Sequence, residues 1–440
     1  MNKASLQLFA SLAAVPAALL LAPAQNASAY TYKTVFAFCG TGCKHATAMS
    51  PSGGLIADAG GDLYGVALNN AVYELLPNAS KTKWKYKALH NFSNGKDGGG
   101  PYGVLVMDTV GDLYGTTNAG GASGGGTVFE IVPNSLHTKW HLTTLYHFCA
   151  KLDCEDGNSP RVGLTYAGAQ TGALYDGTSP LYGTTVGGGS EGCGVVFQLA
   201  SDSGKWREKV IHSFDGRVTP NDGCNPNSVI EDSEGDLVGT TQLGSPESSI
   251  AGSAFRLVPN RARTKWTEHV LADFECTGDQ CPSGASPWGN VTMAGSNLYG
   301  TTITGGTGAG TNCAVTNGGV SCGVAFKIAA NGTYSKIYDF CSLANCADGA
   351  SPRTTLLADE AEDLFGVTQD SGPGIQYENN GTVFEIDNAG HEQILHAFCT
   401  PNCSNDGRLP NQDLYMDAAG DIFGTTSSGD GSGTVFELTP

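Results

Sequence analysis

Seven times along this chain, a short strand-like element of the form Leu-Tyr-Gly is followed across a gap by one of the form Gly-Thr-Val-Phe-Glu. The first element centres on Tyr64, Tyr114, Tyr182, Val238, Tyr299, Phe365 and Phe423, and the second ends at Leu75, Ile131, Leu199, Leu257, Ile328, Ile386 and Leu438. Self-similarity at a roughly fixed spacing identifies a repeat architecture more reliably than local propensity does. The gap between the two elements is usually glycine-rich, as in residues 118–126.

Each repeat carries two further elements. Before the Leu-Tyr-Gly lies an apolar run ending in a turn such as Asp108 to Asp112 or Asp417 to Asp421. There an Asp-x-x-Gly-Asp pattern predicts a hairpin, with the acid accepting backbone bonds and glycine taking positive φ. After the Gly-Thr-Val-Phe-Glu element comes a segment that in four repeats opens with tryptophan and ends with phenylalanine: Trp84 and Phe92, Trp140 and Phe148, Trp206 and Phe214, Trp266 and Phe274. An even separation in a period-two strand predicts both rings on one face, packing rather than stacking on sugars. A lysine precedes each tryptophan, as suits an outermost edge strand.

Four antiparallel strands in each of seven repeats describe an all-β fold, a seven-bladed β-propeller. The last repeat reaches Pro440 after its third strand, while residues 30–38 form a fourth-type strand with no repeat before it. The N-terminal strand is therefore expected to join the C-terminal blade and close the ring. The expected organisation is a signal peptide over 1–29 and one propeller over 30–440, with repeats at about 51–92, 97–148, 156–214, 222–274, 282–340, 348–398 and 406–440.

Residues 1–29 have the form of an export signal: Lys3, an apolar run over 6–22, and Ala27-Ser28-Ala29 as a cleavage site. A secreted or periplasmic protein without a C-terminal anchor is expected. The net charge of −19 argues against nucleic acid and anionic membranes as partners. All fourteen cysteines follow the signal, which favours disulfides over zinc. The expected pairs are Cys39 with Cys43, Cys149 with Cys154, Cys276 with Cys281, Cys341 with Cys346, Cys399 with Cys403, Cys313 with Cys322, and Cys193 with Cys224.

The in-register recurrence of LYGTT, glycine gap and GTVFE resembles the choice-of-anchor tandem repeat GloVer-containing protein family (Gloeo/Verruco repeat). The resemblance covers nearly all of the chain after residue 29. It implies an exported, propeller-like protein and supplies no catalytic residues.

In a propeller, the fourth-to-first and second-to-third connections open on one face. Here these are the cysteine loops and the glycine gaps, which makes that face the candidate working surface. A second motif repeats there: Asp97, Asp156, Asp222, Asp348 and Asp406 are each followed by glycine and, four residues on, by proline. As a functional site these aspartates would ring the channel mouth and hold Ca²⁺ or sugar hydroxyls. As turn chemistry they would recur for folding alone, which is the favoured reading. His90, His212 and His396 stand at equivalent places on three blades, so they cannot converge on one metal and read as packing or surface residues. The matches to Gly-x-Ser-x-Gly at 121–125 and 188–192 are expected by chance in a chain with 62 glycines.

The leading expectation is a monomeric, non-enzymatic binding protein that presents its disulfide-stiffened loop face to a glycan or other extracellular ligand. One alternative is an extracellular polysaccharide-acting hydrolase or lyase using carboxylates at the channel mouth; another is a structural envelope component. The enzyme reading requires blade-specific departures, such as the insertion at 305–319 or Glu247, to converge on a cleft.

Overall fold

The computed structural model describes residues 30–39, 50–216, 222–244, 250–277, 281–307, 322–370, 380–399, 406–410, 412–429 and 432–440. The proposed signal peptide, Cys43, Glu247, Cys313, Cys403 and most of the 305–319 insertion lie outside them. Among the described residues no helix is long and apolar enough to cross a membrane.

Each Leu-Tyr-Gly element is the second strand of an antiparallel sheet, hydrogen-bonded to the Gly-Thr-Val-Phe-Glu strand that follows. In the second blade Leu113–Ala119 pairs with Thr127–Pro133 in the register Leu113 opposite Ile131 through Thr117 opposite Thr127. Gly99–Met107 lies inside this pair and Trp140–His147 outside it. Seven sheets of this order are described, a seven-bladed propeller. In the third, isolated bridges such as Thr165 to Tyr182 stand in for a continuous inner strand. Thr31–Ala37 pairs antiparallel with Thr434–Thr439 as the outer strand of the seventh blade, so the N-terminal strand closes the ring.

Four of the five letters of the LYGTT code acquire a physical reason from their contacts. Tyr114 donates to Glu130 Oε1 at 2.8 Å and to Asp108 Oδ2 at 3.4 Å, tying the second strand to the third and to the Asp-x-x-Gly-Asp turn. Asp108 itself accepts the N–H groups of Val110 and Asp112, while Gly111 takes φ +93°. A Cβ on Gly115 would lie 2.6 Å from Phe129 Cζ, so glycine is what admits the phenylalanine of the next strand. Thr116 reaches the following blade, donating to Val162 O at 2.9 Å, and Thr117 Oγ1 accepts the N–H of Thr127. One strand thus fixes its turn, its sheet and its neighbouring blade.

The outer strands correct the expectation about their aromatics. In every blade the outer strand slips register by one residue; in the first, Val72 pairs with His90 but Tyr73 with Ala88. This β-bulge inverts the inward–outward alternation partway along. Trp84 therefore packs with Tyr73 and Leu75 in the core between the seventh and first blades, whereas Phe92 packs with Phe129 and Leu105 in the core between the first and second. The same division holds for Trp140 and Phe148, Trp206 and Phe214, and Trp266 and Phe274. The indoles also meet the Leu-Tyr-Gly tyrosine of the preceding blade edge-on, Tyr64 to Trp140 at 6.3 Å and Tyr182 to Trp266 at 6.1 Å. They are inter-blade packing.

Candidate functional site

Disulfide loops and glycine gaps share one face and hydrogen-bond to one another. Gly121 N–H donates to Gly95 O at 2.8 Å, Gly189 to Cys154 O at 3.0 Å and Gly306 to Cys281 O at 2.9 Å. Disulfides join Cys149 to Cys154, Cys276 to Cys281 and Cys341 to Cys346 within loops, and Cys193 to Cys224 between the third and fourth blades. Cys39, Cys322 and Cys399 are disulfide-bonded as well.

The structure does not gather the five repeated aspartates into one site. Each closes its own loop and faces the outer strand of the blade before it. Asp156 accepts the N–H groups of Ala150 and Lys151 and the hydroxyl of Tyr146 at 2.8 Å. Asp348 does the same with Ser342, Leu343 and Tyr338. Asp97, Asp222 and Asp406 meet His90, His212 and His396 at 3.4, 2.8 and 3.2 Å. Those three histidines accordingly stay on separate blades. Glycine and proline complete the motif by packing: a Cβ on Gly157 would lie 2.4 Å from Thr185 Oγ1, and one on Gly126 would lie 2.8 Å from Pro160 Cδ.

What converges instead is the residue after each of those prolines. The residue before the proline takes positive φ in every blade: Ser50 at 53°, Gly100 at 59°, Ser159 at 55°, Asn225 at 56°, Ser286 at 53°, Ser351 at 56° and Leu409 at 57°. The inner strand then breaks away from its ladder. Register jumps between Pro226 and Val229, and in the fifth and sixth blades the strand is split into Ala285–Pro287 with Thr292–Ala294 and Ala350–Pro352 with Leu357–Ala358. The freed backbone is satisfied by the adjacent blade, as where Asn227 donates to Pro287 O at 2.8 Å and Thr301 to Thr354 O at 3.1 Å. This leaves the post-proline side chains free to line a central cavity of about 520 Å³, to which all seven blades contribute.

At this position the repeats differ. Ser52 is buried and bonds to Pro101 O, but Tyr102, Arg161, Asn227, Trp288 and Arg353 all line the cavity. Asn411 lies outside the described residues. The Arg353 guanidinium sits 4.9 Å over the Trp288 ring, and its buried Nε has no hydrogen-bond partner. Asp413 is the one carboxylate among the described lining residues; it accepts the N–H of Thr355 at 2.7 Å, and burial pushes its pKa above the usual value despite that bond. Burial also raises Asp370, against the charge of Arg353 and a bond from Ser351. In a chain of net charge −19, the described lining of this cavity carries two arginines, Arg161 and Arg353, against one aspartate. The repeat alignment contained the signal, since the residue after the proline changes from blade to blade while the proline itself does not.

No family model matches the chain, and neither does any curated protein sequence. Solved structures do match. An ancestral GH74 enzyme superposes with a TM-score of 0.54 at 10% identity over 90% of this chain and 48% of its own length. The polysaccharide lyase Uly1 gives 0.50 at 9% identity over 90% and 91% of the two chains, and the Dos1 propeller 0.50 at 9% over 88% and 76%. At such identity the likeness is one of fold, the β-propeller.

Proposed function

We propose that the protein is a non-enzymatic binding protein whose central cavity takes a carboxylated sugar unit of an extracellular glycan. The observation that carries this is the Trp288–Arg353 pair, joined by Arg161 in the same cavity. An aromatic face suits the apolar side of a pyranose, and a guanidinium suits a carboxylate through charge-assisted, bidentate bonds. Asn227 and Tyr102 supply the neutral polar edge that sugar hydroxyls need. A lone carboxylate among the described lining residues falls short of the acid and base pair of a typical glycosidase, which favours binding over hydrolysis. Polysaccharide-acting proteins on the same fold, a lyase and a GH74 enzyme, are in keeping with a carbohydrate ligand.

Calorimetric titration of oligouronates, beside neutral oligosaccharides of equal length, tests the reading. Oligouronate binding should exceed neutral binding and weaken as salt screens the arginines. Arg353→Gln and Trp288→Ala should each lower affinity about tenfold or more, a loss of about 1.4 kcal/mol or greater. Equal binding of neutral and acidic sugars, or binding untouched by both substitutions, would overturn it.

A further inference from the structure

Three of the inter-blade seams carry the same constellation. The loop aspartate meets a residue two places before the outer-strand phenylalanine and a glutamate six places before the next one. At the second seam these are Tyr146, Asp156 and Glu208, and at the fifth Tyr338, Asp348 and Glu392; each tyrosine hydroxyl donates to its aspartate, at 2.8 and 2.9 Å, and reaches its glutamate at 3.3 and 3.5 Å. At the second seam Lys151 also neutralises Glu208 at 2.8 Å. The third seam has His212, Asp222 and Glu268. There the bridging hydroxyl is replaced by an imidazole, and His212 is the one basic group within ion-pair distance of either carboxylate among the described residues.

We infer that His212, Asp222 and Glu268 form a divalent transition-metal site, with Zn²⁺ as its natural occupant class, bridging the third and fourth blades. His212 Nε2 lies 2.8 Å from Asp222 Oδ1 and 3.7 Å from Glu268 Oε2, and the three ligand atoms all fall within 4.8 Å of one another. An ion with bonds of about 2.0–2.2 Å in tetrahedral geometry spaces its ligands roughly 3.3–3.6 Å apart, so small side-chain adjustments complete the site. One imidazole and two carboxylates leave the fourth position to water, and imidazole favours zinc-like ions over Ca²⁺. No other group of three such residues comes this close among the described residues. Glu268 Oε1 is buried without a hydrogen-bond partner, as are the equivalent atoms of Glu208 and Glu392, but among the described residues only at this seam does an imidazole face the two carboxylates; the Cys193–Cys224 disulfide anchors the strand two residues beyond Asp222 to the third blade. His212 and Glu268 keep side-chain exposures of 21% and 16%, enough for an ion to enter from solvent.

The test is calorimetric titration of Zn²⁺, and separately of Ca²⁺, into the full-length chain after chelator treatment and removal, with thermal melts in parallel. The expected result is one saturable Zn²⁺ site and a higher melting midpoint with Zn²⁺ present. Glu268→Gln keeps the side-chain shape and should weaken Zn²⁺ binding more than tenfold, as should His212→Asn. His396→Gln, at a seam where Tyr32 rather than a glutamate stacks on the imidazole at 3.7 Å, should leave it unchanged. Absence of saturable Zn²⁺ binding, saturable binding of Ca²⁺ alone, or Zn²⁺ binding that survives Glu268→Gln and His212→Asn would each overturn the assignment.

Discussion

Gly126 of the second blade lies directly against Pro160 of the third: a Cβ placed on it would sit 2.8 Å from Pro160 Cδ and 2.2 Å from Thr117 O. The same contact recurs between Gly194 and Pro226, Gly323 and Pro352, Gly381 and Pro410, and, across the ring closure, Gly433 and Pro51. These seams are closed by a glycine that gives room and a proline that fills it; at the first seam Asn70, with φ +69°, stands in the glycine's place.

Gly126→Ala adds a clash to an unfavourable φ of +94° and should cost about 2–4 kcal/mol. Gly124 supplies the control, since it shares a positive φ of 83° but has nothing within 4 Å of an added Cβ. Gly124→Ala should cost only about 1–2 kcal/mol. Urea unfolding of the two variants separates strain from packing, and equal losses would show that the proline contact contributes nothing.

Ring closure rests on the N-terminal strand. Phe38 is 2% exposed, lies 5.2 Å from Tyr73 of the first blade, and donates its N–H to Gly433 O of the seventh at 2.9 Å. Phe38→Ala should cost about 3–5 kcal/mol in denaturant unfolding. Deleting residues 30–38 should abolish the single cooperative transition. A truncated chain that unfolds with the same midpoint and slope would contradict closure through this strand.

At the fifth seam Glu392 is pushed up to about 8 from an ordinary 4.5, by burial first and by the charge of Asp348 second, with the Tyr338 bond opposing. A carboxyl with a raised folded pKa binds more protons folded than unfolded. Stability should therefore fall as pH rises from about 4.5 to about 8, by at most about 1.4 kcal/mol per pH unit from this group. Glu392→Gln should flatten that slope and stabilise the protein at pH 8. Unfolding midpoints measured across the window decide it; an unchanged slope in the variant would place the proton elsewhere.

Cys193–Cys224 spans 31 residues and Cys341–Cys346 only 5. In the chain-entropy account the longer loop contributes about 3–4 kcal/mol and the shorter about 2. Replacing each pair by alanine and measuring guanidinium unfolding should reproduce that order. The reverse order would indicate that the short bridges do more than stiffen their loops.

The blade count, the strand order within a blade and the closure by residues 30–38 were all legible in the chain, because seven copies of LYGTT and GTVFE leave one way to bury so many equivalent apolar faces. Two things were not. The Trp84 and Phe92 spacing pointed to a shared face, but a one-residue bulge opposite Val72 and Tyr73 sends the two rings into different cores. Side-chain parity is a property of the ladder, and a sequence does not display where its ladder slips. The repeated aspartates left a ring at the channel mouth open beside the favoured turn chemistry, and the contacts of Asp156 and Asp348 are with their own loops.

The sequence by itself determined the architecture, because periodic burial is a local and repeated constraint. Only the tertiary structure decided which residues meet. The left-handed residue before each proline peels the inner strand off its ladder and delivers Arg161, Trp288 and Arg353, more than a hundred residues apart at their extremes, to one cavity. The seam between two blades likewise brings His212 to Glu268 of the next repeat. Both encounters depend on the radial stacking of blades, an arrangement in which residues far apart in the chain become neighbours through the ring and not through any spacing that can be read along it.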